Sequence, residues 1–405
     1  MTAPDVVIIG AGPAGCTCAI RLRQRGLRVT VLEREVFPRF AIGESLLPAA
    51  WELWERLGIR QRIEEAGYPE KRGALFRIED TDAIEEFLIR TDEFPEYFVN
   101  PFTFHVDRAH FDQLLVEAAA EAGVEIRQGC KVEDVVFRDG YAVGVRFKEG
   151  GSDHELAARA IVDASGRRTL LAGRLGRRYA NPELMKVAYY THFEGAGRRA
   201  IEDGSVVTDI HSTEGGWIWY IPLRNDIVSV GVVLDADYVR EQRAGPQILF
   251  DRAITRDDLI RPWIETARPR MPLRKIPSIS YLSDNFVGDG FVMIGDAAMF
   301  IDPIFSSGVM LAMRGADYAA EALADGLERG DVSEAALKPY EERIRRPIEK
   351  MHRIIVNWYR IMKSKERQHI FRISRSAPLL REQLVILLSG GFDRADLDVI
   401  LTGRP

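Results

Sequence analysis

Several residue patterns are scarce in this sequence, and each scarcity excludes a class of protein. The 405 residues contain three cysteines, Cys16, Cys18 and Cys130, which are too few for a disulfide-rich secreted scaffold. The net charge of −6 provides no overall basic field, which argues against a nucleic-acid-binding protein. No uninterrupted run of about 18 apolar residues occurs, so we expect no membrane span.

Targeting and metal-binding patterns are also missing. The first residues, MTAPDVVIIGAGPAG, carry no basic segment before a short, glycine-rich apolar run, so we expect no signal peptide. Together with the few cysteines, this predicts a cytoplasmic protein. The seven histidines lack the spacing of metal ligands, and we predict no metal site. His192 and His211 fall on predicted strands, where a structural role and a place beside a substrate pocket are the two alternatives.

Residues 5–34, DVVIIGAGPAGCTCAIRLRQRGLRVTVLER, predict a buried strand, a tight turn, a helix and a second strand. Gly10, Gly12 and Gly15 form G-x-G-x-x-G between strand and helix. The first glycine permits the turn, the second lets a pyrophosphate approach the backbone, and the third lets helix and strand pack closely. Glu33 ends the second strand, where it can accept a hydrogen bond from a ribose hydroxyl. This unit predicts a dinucleotide site without separating FAD from NAD.

Two later segments resemble the cofactor motifs of FAD-dependent monooxygenase-like flavoproteins. They are IVDASG and FVMIGDAAMFIDP, and FHVDRAHFDQLL resembles a cofactor-contacting helix of the same group. The resemblance implies FAD as the cofactor, with Asp296 near the ribityl chain and Arg108, Ala14 and Arg39 as further contacts. No second G-x-G-x-x-G stands between a strand and a helix. We therefore expect reduced flavin to come from a separate flavin reductase.

FPRFAIGESLLP and GWIWYIP are similar to segments of the flavin-dependent halogenases, in the branch that acts on phenols and pyrroles. Trp217, Trp219, Ile221 and Pro222 match the W-x-W-x-I-P motif of that family. The resemblance implies that the tryptophans separate the flavin from the organic substrate, so that halide is oxidised instead. Strand alternation places Trp217, Trp219 and Ile221 on one face. The alternative is an aromatic strand that only fills a core.

Lys71, in GYPEKRGALF, stands where the resembling halogenases carry a functional lysine. The resemblance implies that Lys71 captures or hydrogen-bonds hypohalous acid and delivers the halogen. A lysine suits this task because its amine can be halogenated or, as an ammonium, donate a hydrogen bond, and its pKa shifts readily on burial. Because Glu70 and Arg72 flank Lys71, a solvated surface lysine is the alternative.

DPIFSSGVMLA, residues 302–312, is the third element of the resemblance. It implies that Ser307 and Gly308 offer backbone N–H groups to chloride or bromide at a helix N-terminus. Phe305 stands where some tryptophan-acting relatives carry a glutamate base, which favours a phenol or pyrrole over an indole. The alternative is a loop that only binds flavin.

These patterns predict an α/β flavoprotein in which a Rossmann-like FAD-binding domain carries an inserted antiparallel-sheet substrate domain. Strands expected between residues 186 and 234 define the insertion. We assign residues 1–80, 101–178 and 278–330 to the FAD-binding domain, 81–100 and 179–277 to the substrate domain, and 331–405 to a helical C-terminal region.

The predicted function is a FAD-dependent halogenase that uses reduced flavin, O2 and halide on a small electron-rich aromatic substrate, free or tethered to a carrier protein. A monooxygenase or a dehydrogenase/reductase of the same fold is the alternative, and a flavin-binding protein without turnover is a third. The basic segment RIRRPIEKMHR is interpreted as a solvated helix face or as a docking surface for an acidic carrier protein.

Overall fold

The computed structural model describes residues 3–77, 84–88, 100, 102–199, 201, 203–277, 279–363 and 378–391. Most of the predicted segment 81–100, and residues 364–377 and 392–405 of the predicted helical region, lie outside the described residues. The strands, in chain order, are β1 Val6–Ile9, β2 Val29–Glu33, β3 Glu70–Arg77, β4 Ile84–Leu88, β5 Thr103–Phe104, β6 Glu125–Gln128, β7 Lys131–Arg138, β8 Tyr141–Glu149, β9 Ser152–Ala157, β10 Ala160–Asp163, β11 Arg178–Ala180, β12 Lys186–Glu194, β13 Val206–Thr213, β14 Gly216–Pro222, β15 Ile227–Asp235, β16 Arg268–Pro269, β17 Arg274–Ile276, β18 Tyr281–Ser283, β19 Val287–Gly288 and β20 Phe291–Met293. The α-helices are α1 Pro13–Gln24, α2 Trp51–Leu57, α3 Arg60–Glu64, α4 Arg108–Glu121, α5 Leu170–Arg174, α6 Ala236–Gln242, α7 Pro246–Arg256, α8 Ile260–Ile264, α9 Gly308–Arg329, α10 Glu334–Lys363 and α11 Pro378–Leu388.

A largely parallel sheet with the order β19-β20-β10-β1-β2-β6 carries the glycine-rich turn. Strand β1 is apolar and fully buried because it pairs in parallel with both β10 and β2 inside the sheet. Helix α1 follows β1 directly and begins at Pro13, a residue pre-organised for the first helical position. The Rossmann-like prediction for this part of the chain is confirmed.

A second sheet has the order β16-β12-β15-β14-β13-β3-β4 and is mostly antiparallel. Its one parallel pairing among the described strands joins β13 to β3, which lies more than a hundred residues earlier in the chain. Strand β14 packs close to β15 because Gly231 has no side chain. A Cβ on Gly231 would lie 2.2 Å from the Trp219 ring. Only glycine therefore lets this indole lie across the neighbouring strand.

The two faces of β14 point into different hydrophobic cores, as its alternation predicts. Trp217, Trp219 and Ile221 belong to the main core, which also contains the parallel sheet. Ile218 and Tyr220 belong to a second core, covered by α7 and α8. This arrangement follows from the two-residue period of a strand buried on both faces.

The C-terminal region is helical in its described parts. Helix α9 packs against α1, and α10 packs against α9. Near the end of α10, Tyr359 is buried and its hydroxyl accepts a hydrogen bond from Nε1 of Trp217 at 2.8 Å. Across the described ranges, none of the helices combines the length and the apolar character that crossing a bilayer demands.

Candidate flavin and halogenation site

A cavity of about 380 Å³ lies where the parallel sheet faces the tryptophan strand. Its volume falls in the range of cofactor sites. It is lined by residues from the glycine-rich turn, the segment after β2, the start of α4, the tryptophan strand and the start of α9. The predicted site residues among them are Gly10, Gly12, Ala14, Glu33, Arg39, Arg108, Trp217, Trp219, Asp296 and Gly308.

The glycines of the glycine-rich turn serve two different purposes: close backbone approach and open space for a ligand. Gly10 has φ +101°, and a Cβ there would lie 2.6 Å from the carbonyl oxygen of Ala164. Gly15 does not line the cavity, and a Cβ on it would lie 2.0 Å from the carbonyl oxygen of Gly10. At Gly12 the nearest atom would be an Arg39 nitrogen at 3.6 Å, so this glycine leaves open space. A pyrophosphate fits that space at the positive end of α1.

The end of β2 provides an oriented acid for the ribose. Glu33 accepts hydrogen bonds from the backbone N–H of Ala11 at 2.8 Å and of Glu35 at 3.0 Å, one on each carboxylate oxygen. Each oxygen keeps a lone pair that a ribose hydroxyl can use. The Arg39 guanidinium lies 4.0 Å from Glu33 and 3.1 Å from Asp112, so Arg39 is held between two acids.

Arg108 is fixed by a bidentate contact with Asp112, the acid that Arg39 also contacts. Its Nε and Nη2 donate to the two Asp112 oxygens at 2.7 and 3.0 Å, and Nη1 donates to the carbonyl oxygen of Ile42 at 2.6 Å. Asp296 also lines the cavity; burial raises the pKa of its carboxyl, and the Arg167 and Arg108 charges oppose that rise. The open glycine turn, the free acceptors of Glu33 and the charged groups of Arg108 and Asp296 together fit FAD.

The tryptophan face is locked by hydrogen bonds from both indoles. Trp219 donates to Ser229 Oγ at 3.1 Å, and Trp217 donates to the Tyr359 hydroxyl. Tyr359 in turn donates to Asp302 at 2.9 Å. Burial raises the pKa of Asp302 to about 6. Sequence reasoning missed Tyr359, because nothing local in α10 indicates a partner on β14.

Lys71 is buried, with 2% of its surface exposed. It lies on β3 between β5 and β13, opposite Thr103 and Val206, and its Nζ donates to the carbonyl oxygen of Leu46 at 3.0 Å. Burial lowers the pKa of the Lys71 amine to about 7. The alternative, that Lys71 is a solvated surface lysine, is therefore wrong.

Lys71 does not line the large cavity, and its surroundings form a smaller one beside it. Ile210, Ile304 and Ser306 line both cavities and form a partition between them. Phe305 lines the lysine side, where it contacts the ring of Trp358 at a centroid distance of 5.5 Å. The position thus offers an apolar aromatic wall and no carboxylate.

The predicted halide loop lies at this partition. Ser307 precedes the first residue of α9, Gly308, and accepts a hydrogen bond from the Leu311 N–H at 2.9 Å. Gly308 lines the large cavity. Ser307 is buried and, with Asp296, lines a smaller neighbouring cavity. Ser306, which the sequence did not single out, lines the large cavity and has φ +55°.

The two strand histidines have different surroundings. Nε2 of His192 lies 2.7 Å from the carboxylate of Glu44, which lines the large cavity. Nδ1 of His211 lies 2.7 Å from Asp257 on the far side of the sheet. His211 is therefore structural, and His192 orients an acid of the cavity wall. No group of three or more potential metal-binding side chains occurs among the residues that the structure describes.

Comparisons with known proteins agree with this geometry. The tryptophan halogenase family model matches residues 95–375, and the FAD dependent oxidoreductase model matches residues 5–174. A 1H-pyrrole-2-carbonyl-[peptidyl-carrier protein] chlorinase of Pseudomonas fluorescens is 34% identical over 376 residues, covering 88% of this chain and 84% of the relative. A corresponding brominase of Pseudoalteromonas luteoviolacea is 34% identical over 340 residues, covering 81% and 79%. The solved structure of the flavin-dependent brominase Bmp2 matches with a TM-score of 0.86 at 30% identity, covering 99% of this chain and 98% of that one.

Proposed function

The chain belongs to the tryptophan halogenase family and is a flavin-dependent halogenase; we propose that it halogenates a pyrrole- or phenol-type ring and that Lys71 delivers the halogen. The observation that carries this proposal is the position of Lys71. It is a buried amine with a pKa of about 7, on the far side of a thin partition from the cavity that fits FAD.

Bound FAD supplies, in its reduced form and with O2, the two-electron oxidation of halide to hypohalous acid. The residues that would hold this cofactor are the open turn at Gly12 and the positive end of α1 for the phosphates, Glu33 for the ribose, and Arg108 and Asp296 as further polar contacts. We propose that the Ser307 and Gly308 backbone binds the halide.

Trp217 and Trp219 keep the substrate ring away from the flavin cavity. Their indoles lie at a centroid distance of 6.1 Å and are both anchored, so they form a fixed wall. Ile210, Ile304 and Ser306 separate the flavin cavity from Lys71, and the proposal requires that hypohalous acid, a small species, passes between them. Such separation favours transfer of halogen over direct transfer of oxygen to the ring.

Lys71 can serve in either protonation state because its pKa lies near neutral pH. As an ammonium it donates a hydrogen bond to the oxygen of hypohalous acid and makes that oxygen a better leaving group. A carbon–halogen bond then forms as the halogen–oxygen bond breaks. The oxygen departs as water after taking a proton from Lys71.

The substrate is proposed to be a pyrrole-2-carbonyl group on a carrier protein. Phe305 leaves no carboxylate at its position beside Lys71, so the ring must be nucleophilic by itself, as pyrroles and phenols are. Two relatives at 34% identity act on a carrier-bound pyrrole. We also propose a separate flavin reductase as the electron source, because the sequence has no second dinucleotide motif, and a cytoplasmic location, because its three cysteines are buried and free.

The test is a reconstituted reaction with FAD, NADH, a flavin reductase, and chloride or bromide. Pyrrole-2-carbonyl carrier-protein thioester, free pyrrole-2-carboxylate and a simple phenol are the substrate probes. Mass spectrometry should show a halogen isotope pattern on the thioester first. Lys71→Met should abolish this product while FAD still binds, and the exposed Lys131→Met is the matched control. A hydroxylated product without halide, or full halogenation by Lys71→Met, would contradict the proposal.

A further inference from the structure

An unbroken chain of hydrogen bonds runs from the partition into the protein interior. Ser306 Oγ donates to Ser45 Oγ at 3.1 Å, Ser45 Oγ lies 2.9 Å from Thr208 Oγ1, and Thr208 Oγ1 lies 2.8 Å from Nε2 of His105. Nδ1 of His105 lies 3.0 Å from the carbonyl oxygen of Pro222. We call Ser306, Ser45, Thr208 and His105 the relay chain.

The carbonyl at the end of the relay chain fixes its direction. A carbonyl oxygen can only accept, so Nδ1 of His105 carries the hydrogen and Nε2 of the neutral ring accepts from Thr208. Thr208 then accepts from Ser45, which accepts from Ser306. Every hydroxyl hydrogen therefore points away from the partition and toward His105, whose Nε2 is the terminal acceptor.

Four separate segments hold the relay chain in place. Ser45 and His105 form an antiparallel β-bridge, Thr208 lies on β13, and Ser306 lies in the loop before α9. Ser45, Thr208 and His105 are buried, and Ser45 and Thr208 also line the wall of the flavin cavity. Ser306 lines both the flavin cavity and the lysine cavity, so a proton released on either side of the partition can reach it.

The charge on Lys71 acts on the inner end of the relay chain. Burial and, after it, the nearby Lys71 ammonium hold the pKa of His105 well below its ordinary value, so His105 takes a proton only transiently and the two groups disfavour being charged together. The other charged groups on the same elements already have partners: Glu44 lies against His192, Asp209 against Arg199, Asp302 accepts from Tyr359, and Arg224 lies 3.8 Å from Asp107. His105 can take a proton most readily when Lys71 has given one up.

On the basis of the proposed function, we propose that the relay chain removes the ring proton during halogenation, with Ser306 as the entry and His105 as the group that holds the proton. Lys71 gives its proton to the departing oxygen as the carbon–halogen bond forms. The C–H electron pair then returns to the ring, and the proton passes to Ser306 while the hydroxyl protons shift along Ser45 and Thr208 to Nε2 of His105.

The cycle closes when the proton held by His105 returns along the relay chain and reaches the Lys71 amine across the small cavity that Lys71 shares with Ser306. The sum is ring C–H plus hypohalous acid giving the halogenated ring plus water. No further oxidant or base is required. This assigns to hydroxyl groups and a histidine the proton removal that an acid at the position of Phe305 would otherwise perform.

The test compares Thr208→Val, which replaces the hydroxyl next to His105 with a methyl of similar shape, with Thr208→Ser, which keeps a hydroxyl. The probe is pyrrole-2-carbonyl carrier-protein thioester with hydrogen or deuterium on the ring. In the wild-type enzyme we expect no primary isotope effect, because proton loss is fast. In Thr208→Val we expect turnover to fall about 10²-fold, the usual size of a general-base contribution, with a primary isotope effect, and Thr208→Ser should restore both values.

Two controls separate a relay from a structural role. Thr208 lines the flavin cavity, but valine keeps the volume of its side chain, and neither FAD binding nor hypohalite formation needs the ring proton. FAD binding and hypohalite formation, the latter trapped with a dione, should therefore be retained in Thr208→Val. His105→Gln, which keeps an acceptor but cannot take a proton even transiently, should show the same isotope effect and covers the case in which Thr208→Val does not fold.

Three results would overturn the inference. They are wild-type turnover in Thr208→Val, slowed turnover in both relay variants without an isotope effect, and equal impairment of Thr208→Ser and Thr208→Val. If the wild-type enzyme halogenates none of the three probes but its hypohalite is still trapped by the dione, the proposed ring class is wrong. If no hypohalite forms either, the proposed function fails before the relay is reached, and the inference falls with it.

Discussion

Replacing Lys71 by methionine should raise the stability of the protein while removing its activity. Lys71 is buried with one hydrogen bond, to the carbonyl oxygen of Leu46 at 3.0 Å. Burial lowers its pKa from 10.5 to about 7, which means that the folded state holds the ammonium form at a cost. Methionine has a similar volume and no charge, so it should fill the same space.

The size of this effect follows from the two pKa values. Each pH unit between them corresponds to about 1.4 kcal/mol, so below about pH 7 the buried ammonium costs on the order of 5 kcal/mol of unfolding free energy. Losing the hydrogen bond and leaving the Leu46 carbonyl without its partner costs about 1–3 kcal/mol. Near pH 6 we therefore expect Lys71→Met to be more stable than the wild type by about 2–4 kcal/mol.

The sign of the pH dependence gives a stricter test. Between about pH 7 and 10.5 the unfolded chain binds more protons at Lys71 than the folded chain does, so wild-type stability rises with pH in that window. The advantage of Lys71→Met should shrink by about 2 kcal/mol between pH 7 and pH 9.

Urea unfolding followed by far-ultraviolet circular dichroism, at one fixed saturating FAD concentration, measures this difference, because a bound ligand adds to the apparent stability. Lys131→Met, which changes an exposed lysine, should show no such trend. Parallel curves for wild type and Lys71→Met from pH 6 to pH 9 would refute the inferred burial of a titrating amine. Retention of halogenation would refute the assigned chemical role.

Three further predictions use other parts of the site. Gly15→Ala should destabilise or unfold the protein, because its Cβ would lie 2.0 Å from a carbonyl oxygen, whereas Gly12→Ala should stay folded and lose FAD affinity; fluorescence titration with FAD after a melting curve separates the two. Tyr359→Phe removes the hydroxyl that accepts from Trp217 and donates to Asp302, so the unfolding free energy should fall by about 1–3 kcal/mol. A shift in the tryptophan emission spectrum is the direct readout of the lost contact with Trp217. Burial alone would lower the pKa of His211, but its neighbouring carboxylates raise it overall, so the stability difference between wild type and His211→Gln should be largest at low pH and fade as the pH rises; an unchanged difference across the range would argue against the ion pair.

How far the sequence could predict the site depends on how local each feature is. The glycine turn, the acid at the end of β2 and the shared face of Trp217 and Trp219 depend on φ angles and strand alternation within a few residues. Those features were read correctly, and the α/β fold class and FAD as cofactor are confirmed with them. The domain boundaries and the halide contacts of Ser307 and Gly308 stay predictions.

Other features depend on pairings between distant segments. Glu70 and Arg72 make Lys71 look solvated, yet residues distant in the chain, among them Phe305 and Leu388, surround its side chain and bury it. Trp217 meets Tyr359 across 142 residues, and the first two members of the relay chain, Ser306 and Ser45, lie 261 residues apart in the sequence. No local pattern could indicate these contacts.

The sequence by itself determined which backbone turns and strand faces this protein has, because those depend on local geometry and on the chemistry of single residues. The tertiary structure alone decided the charge state of Lys71, the anchoring of the tryptophan wall and the direction of the relay chain. These properties arise from exclusion of water and from hydrogen bonds between distant segments, and both exist only once the two sheets and α10 have packed together.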